Sequence, residues 1–194
     1  MSPLYYVKVC NLSNFNLVKN NEIMRHTFVL LVLLGTCFPG LSQENTAEHK
    51  AIEAQVNAFF TSWNNHDFSD MKNYIAEDCD FVNIAGFHWK GGKDVQYAHQ
   101  TVHQTIFKDV PLEKRAVTIR FLTSDVAVAH VLMHPMKSYT TPDGSKGGDS
   151  DALATFVFVK KKDAWMVEAV ENVVVSEVAK PFNPVPVKEN SRNN

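Results

Sequence analysis

The chain has 194 residues, 45% of them apolar and 11% aromatic, which suits one globular domain with a sizeable core and excludes a disordered or collagen-like polymer. Its formal charge is −2, and setting aside residues 1–42 leaves 16 basic against 20 acidic residues. A mildly acidic domain with scattered lysines lacks the basic face that nucleic-acid phosphates demand, so no nucleic-acid partner is expected.

Residues 24–42 start with a basic residue at Arg25, run apolar from Thr27 to Phe38, and end in Pro39, Gly40 and Ser42. That run is too short for a membrane span, which needs ~20 residues. It matches the h-region of a secretory signal peptide, with Gly40 and Ser42 as the small residues before cleavage. A lipoprotein reading through Cys37 fits poorly because Thr36 precedes the cysteine. The expectation is a periplasmic or secreted protein with no membrane association after cleavage. Residues 1–23 then stand upstream of a signal that normally begins a chain, and read as a mis-assigned extension with translation starting at Met24. Only Cys79 remains in the mature region, so no internal disulfide is expected, and it reads as a small buried apolar residue.

The expected domain covers residues 43–178. Asn45 and Glu48 have capping-box spacing, and Ile52, Val56, Phe59, Phe60 and Trp63 recur on one helical face. Asn64, Asn65, His66 and Asp67 favour a turn. Ser69 or Asp70 then caps a short second helix that turns Met71, Tyr74 and Ile75 inward. Phe81–Ile84 and Phe87–Lys90 read as a hairpin about Gly86, and Gly91-Gly92 hand over to a third helix. That helix has Val95, Ala98, Val102 and Ile106 as its apolar stripe, His99 and His103 beside it, and Pro111 at its end.

The rest reads as sheet. The strands are Ala116–Leu122, Val126–Met136, Asp151–Lys160 and Trp165–Val175, separated by turn signals and therefore antiparallel. The glycine-rich loop from Thr140 to Ser150 reads as a hairpin tip or a lid, and residues 179–194 as a disordered tail. Helices followed by long strands make an α+β domain in which a curved antiparallel sheet wraps three N-terminal helices and leaves a pocket between them.

Several patches carry a family resemblance: SWNNHDFSDM at the end of the first helix, EDCDFVNIAGFHWKGGKDVQYAH, the strand DVAVAHVLM and the closing strand WMVEAVENVVV. In order, they resemble the SgcJ/EcaC-type proteins of the SnoaL-like group, within the cone-shaped nuclear-transport-factor-2-like superfamily, over about residues 47–176. Trp63, Asn64 and Asp67 match the family's W-N-x-x-D. Gly86, Gly91, Val95 and His99 match its glycine turn and histidine, and Trp165, Val167, Glu171 and Asn172 match its last strand. His88-Trp89 shifts or doubles the aromatic expected between the two glycines. The resemblance implies a cone with a pocket and a homodimer. It leaves the chemistry open, since relatives include isomerases, cyclases, epoxide hydrolases and dehydratases as well as non-catalytic domains. No cofactor is implied, because no glycine-rich phosphate loop follows a strand.

Histidine titrates near neutrality, and a carboxylate in a dry cone has its ionisation pushed upward. His99, His130 and Glu171 are therefore the catalytic candidates, with His99 leading. Each also has a structural reading. His99 suits a satisfied core histidine, while His130 and Glu171 depend on which face of their strands turns inward. Trp63, Phe81, Asn83, Trp89, His103, Asp151 and Asn172 are the ligand-binding candidates, the aromatics doubling as core. His99 and His103 lie four apart but lack the glutamate of H-E-x-x-H, so no metal is expected. The expected ligand is a small apolar or polyketide-like molecule, turned over by cofactor-independent acid/base chemistry of isomerase, cyclase or hydrolase type. A non-catalytic ligand-binding or dimerisation module of the same fold is the alternative.

Overall fold

The computed structural model describes residues 40–185, with side chains described from residue 46 onward. The expected extension over 1–23, the signal segment up to residue 39 and the tail from 186 lie outside the described residues. The chain divides into two units, Met1–Ala47 and Glu48–Asn194, and the second carries the fold. Among the described residues no helix is long and apolar enough to cross a membrane.

Helix α1, Gly40–Asn65, opens upstream of the expected capping box, so Asn45 lies inside it rather than at its cap. Glu48 instead accepts hydrogen bonds from Lys160 Nζ (2.7 Å) and from Trp165 Nε1. Ile52, Val56, Phe59 and Phe60 are buried and Trp63 partly so, as the 3.6-residue period dictates. Past the helix end His66 adopts a left-handed backbone (φ 56°). The carboxamide of Asn64 pairs with the backbone of Leu112 in both directions, Nδ2 to O at 3.1 Å and N to Oδ1 at 2.8 Å.

The expected second helix is a single 3-10 turn, Met71–Asn73. Asp70 sits at its cap but makes no capping bond. Its carboxylate instead accepts from Ser62 Oγ (2.8 Å), which accepts from Tyr74 OH (2.8 Å). Met71, Tyr74 and Ile75 are all buried as expected, although Ile75 already opens strand β1, Ile75–Val82. Strand β1 begins six residues before the expected Phe81 because its exposed Glu77, Asp78 and Asp80 alternate with buried Cys79 and Phe81 in part of the strand, a pattern that reads as loop in one dimension.

Strand β2, His88–Lys90, returns antiparallel to β1 with Phe81 opposite Trp89. Helix α2, Gly92–His103, follows at once. A Cβ on Gly92 would stand 2.7 Å from the Ala76 carbonyl oxygen, so glycine permits the close approach of α2 to β1. Helix α2 ends at His103, well before Pro111, because residues 104–109 break into turns.

Strands β3 (Leu112–Phe121), β4 (Val126–Pro135), β7 (Ala152–Lys161) and β8 (Ala164–Val174) follow, with a short hairpin of β5 (Tyr139–Thr140) and β6 (Lys146–Gly147) between β4 and β7. The main sheet runs β2-β1-β8-β7-β4-β3. Every pairing is antiparallel except β1 with β8, which is parallel, so the sheet is mixed. Register shifts at Lys114/Ala116 and Val157/Phe158 mark irregularities of the kind that bend strands and increase twist. Beyond β8, Lys180–Phe182 forms one exposed 3-10 turn inside the stretch expected to be a tail.

Strand parity decides what lies inside. Ala127, Ala129, Val131 and Met133 are buried, facing Phe158, Phe156, Ala154 and Ala152 across the β4–β7 pairing, so large and small side chains alternate within one core layer. Phe59 of α1 meets Phe156 of β7 edge-on at 5.8 Å, closing the helix layer onto the sheet. The second unit is an α+β cone in which the curved mixed sheet packs with the two α-helices of the described residues, the middle helix of the expected three being reduced to one turn.

Candidate functional site

His99 sits 4% exposed on the inner side of α2. Four rings surround it: Phe81 (centroids 4.8 Å apart), Phe68 (5.2 Å), Trp89 (5.3 Å) and Phe59 (5.8 Å). Its Nδ1–H donates to the Val95 carbonyl at 2.8 Å. A carbonyl oxygen only accepts, so the tautomer is fixed and Nε2 carries the lone pair. Burial among aromatic rings pulls its pKa down to about 4, against the smaller opposing effect of the Val95 carbonyl.

One helical turn on, His103 is 2% exposed and lies against Trp63 (4.4 Å), Phe68 (4.7 Å) and Phe107 (5.8 Å). Its Nδ1 is 2.8 Å from Nδ1 of His66, and its Nε2 is buried with no hydrogen-bond partner among the described residues. Burial, then His66, then His99 bring its pKa down to about 3. The loop bearing His66 is stapled to α2: Gln100 accepts from Phe68 N (3.1 Å) and donates to His66 O (3.1 Å), while Gln96 donates to Phe68 O (2.9 Å). Trp63 is fixed by its indole N–H to Val110 O (2.9 Å), and Phe107 carries Tyr139 of β5 against it at 4.8 Å.

The catalytic trio expected from sequence does not assemble. His130 is exposed on the outward face of β4 and shares a hydrogen bond with Thr155 Oγ1 at 3.2 Å. Glu171 is exposed and in register with Thr155, so His130, Thr155 and Glu171 form a row on the outer face, turned away from His99. The physical reason is parity: the Ala127–Met133 set takes the interior, and its neighbours must point out.

The ligand-binding candidates divide as well. Trp63, Phe81, Trp89 and His103 belong to the aromatic interior already described, with Phe81 and Trp89 stacked at 5.6 Å. Asn172 lies opposite Ala154 on the inner face, its Oδ1 buried without a partner. Asn83 is instead a turn residue, its Oδ1 accepting from Ala85 N (3.0 Å) and Phe87 N (2.9 Å). Asp151 belongs to an ion cluster, accepting from Arg115 Nη1 (2.6 Å) and His134 Nδ1 (2.8 Å).

His66, Phe68 and Phe107 are the site residues the sequence did not reveal. His66 lies in a polar run that reads as a turn, and only its place at a variable position inside the W-N-x-x-D pattern marks it. Among the described residues no three His, Cys, Asp or Glu side chains lie together to hold a metal. Cys79 is buried, and its thiol is pushed up to about 12 by burial and then by Glu168, Asp80 and Asp78, so it is no nucleophile at neutral pH.

Fold and site together define a small α+β cone with an aromatic, histidine-bearing interior. The chain belongs to the SnoaL-like domain family, whose model matches residues 52–170. No curated protein sequence matches it. Among solved structures it is similar to an uncharacterised cystatin-like-fold protein from Caulobacter vibrioides, at 29% identity and TM-score 0.68, covering 70% of this chain and 95% of that one. It shares its fold with a nuclear-transport-factor-2-like protein from Salmonella enterica (17% identity, TM-score 0.58, 69% and 94% covered). It also shares it with a hexachlorocyclohexane dehydrochlorinase, LinA type 2 (10% identity, TM-score 0.58, 70% and 90% covered).

Proposed function

We propose that the domain is exported and binds a small, uncharged, largely apolar molecule between its helices and the inner sheet face. An imidazole of α2 performs cofactor-independent acid/base chemistry on that molecule, of isomerase, cyclase or hydrolase type. The observation that carries the reading is a pair of buried atoms without partners among the described residues, His103 Nε2 and Asn172 Oδ1. A third such atom, Glu168 Oε1, differs in having Lys161 Nζ 2.6 Å away. An orphaned buried polar atom costs about 1–3 kcal/mol, which a ligand supplying the missing hydrogen bond recovers.

Among the described residues the buried polar ones are Ser62, His99 and His103, and burial holds both imidazoles neutral at pH 7. A charged ligand would lose its hydration there without gaining a counter-charge, which argues for an uncharged one. Hexachlorocyclohexane, named for one protein of this fold, is a molecule of that polarity. Export rests on the segment 24–42, and the SgcJ/EcaC subtype on the ordered patches of residues 47–176. The expected homodimer is supported by the outer sheet face, where Val126, Val128, Leu132, Leu153 and Val157 are half-buried around the His130 row. A Leu132→Glu variant should sediment as a monomer where the wild type is dimeric.

The alternative, a non-catalytic binding or dimerisation module, is favoured by the separation of His130 and Glu171 from His99. Calorimetry with naphthol as a neutral probe tests binding: the account expects saturable binding, about tenfold weaker in His103→Gln and Asn172→Leu, each losing one hydrogen bond. Absence of binding to the wild type refutes the pocket. A turnover screen over dehydrochlorination, dehydration and isomerisation substrates then separates enzyme from module, since only an enzyme turns over a substrate and loses that turnover in His103→Gln.

A further inference from the structure

His66 and His103 differ from His99 in one respect: no described residue fixes where their shared proton sits. The 2.8 Å Nδ1···Nδ1 contact requires one ring to donate and the other to accept. In the first arrangement His103 donates from Nδ1, its Nε2 presents a lone pair to the interior, and His66 carries its proton on Nε2. In the second the roles reverse, and His103 presents Nε2–H. No partner selects between them at His103 Nε2, whereas the Val95 carbonyl locks His99 into a single tautomer.

We infer that His66 and His103 form a two-imidazole proton relay between solvent and the interior, with His103 rather than His99 as the group that exchanges a proton with the ligand. The inference rests on the interior being the binding site. Its solvent end is His66, half-buried in the loop after α1, and its inner end is His103, enclosed by Trp63, Phe68 and Phe107. The step balances. The ligand's X–H bond breaks, its electron pair stays on X, and His103 Nε2 takes the proton. His103 then passes its Nδ1 proton to His66 Nδ1, and His66 releases its own Nε2 proton to water. One proton has left the interior, both rings are neutral again, and the pair stands in the second arrangement. Running the steps backward delivers a proton.

Two features of the surroundings suit this role. The charged or titratable neighbours that act on His103 are His66 and His99, and burial keeps its ring neutral between transfers. The left-handed backbone of His66 is a conformation that non-glycine residues rarely adopt. Gln96 and Gln100 hold that loop in place, which fixes the ring's position at the end of the relay.

Nitrogen-15 NMR of histidine-labelled full-length protein, following each ring nitrogen from about pH 8 to about pH 5, tests the relay. A protonated His66 must donate through Nδ1, so His103 becomes the acceptor and its proton moves to Nε2 while the ring stays neutral. The expected result is that His103 shifts its proton population from Nδ1 to Nε2 on acidification, that His99 stays Nδ1-protonated, and that His66→Phe abolishes the shift. His66→Gln, which keeps a hydrogen bond but cannot pass a proton through, should abolish it too and serves if the phenylalanine variant does not fold. A fixed proton position at His103 across the range, or the same shift in the variants, overturns the relay. Naphthol added to the same samples separates the two proposals: binding without the shift refutes the relay alone, and no naphthol response at any interior residue refutes the binding site.

Discussion

Replacing His99 by leucine should remove a pH-dependent weakness from the fold. In the folded protein burial holds His99 at a pKa of about 4, against 6.5 for the free side chain. Below 6.5 the unfolded chain therefore takes up a proton that the native chain refuses, so stability falls as pH falls and the penalty is complete near pH 4. At about 1.4 kcal/mol per pH unit, this amounts to roughly 3 kcal/mol. Leucine fills a similar volume but forfeits the bond to the Val95 carbonyl and the ring contacts with Phe59, Phe68, Phe81 and Trp89, so at pH 8 the variant should lie about 1–3 kcal/mol below wild type. Urea unfolding followed by tryptophan fluorescence, at steps from about pH 8 down to about pH 4, measures both proteins. His103 is present in both, and His99 is the smallest of the causes that lower its pKa, so the difference between the curves reports mainly on His99. The variant should gain about 3 kcal/mol relative to wild type across the range. Parallel curves would show that His99 is not held neutral by burial, and the description of its aromatic surroundings would fail with them.

Other perturbations probe the packing around the site. Phe156→Ala removes the ring between Phe59 and Phe158 and should lower stability by about 3–5 kcal/mol in the same assay. Gly92→Ala drives a methyl group to 2.7 Å from the Ala76 carbonyl and should cost about 1–3 kcal/mol, with the melting temperature as readout. Glu48→Ala leaves the buried Trp165 indole N–H without its acceptor, at about 1–3 kcal/mol, and Glu48→Gln should recover most of that loss. His130→Ala, on the exposed outer face, should change monomer stability by less than about 0.5 kcal/mol and leave naphthol binding intact.

Helix α1 and the four long strands were legible in the sequence because their apolar periods, 3.6 and 2, are set by the core they cover. The inward set of β4 was legible only as one of two alternatives. Val126, Val128 and Leu132 are as apolar as Ala127, Ala129 and Val131, so alternation could not say that His130 points out. Only the register of β4 with Phe156 and Phe158 of β7 settles it. The parallel pairing of β1 with β8 joins strands from opposite ends of the domain, a contact that no local pattern encodes. His66 was hidden for a related reason: its left-handed conformation reads as a turn, and its partner lies 37 residues away on α2.

The central claim is that ligand enters the interior beside His103 and Asn172 rather than docking on the outer sheet face. Intermolecular NOEs in a naphthol complex test it most directly. The account predicts contacts from the probe to Trp63, Phe107 and Asn172. Contacts confined to Val128, Leu132 and Val157 on the outer face would contradict it.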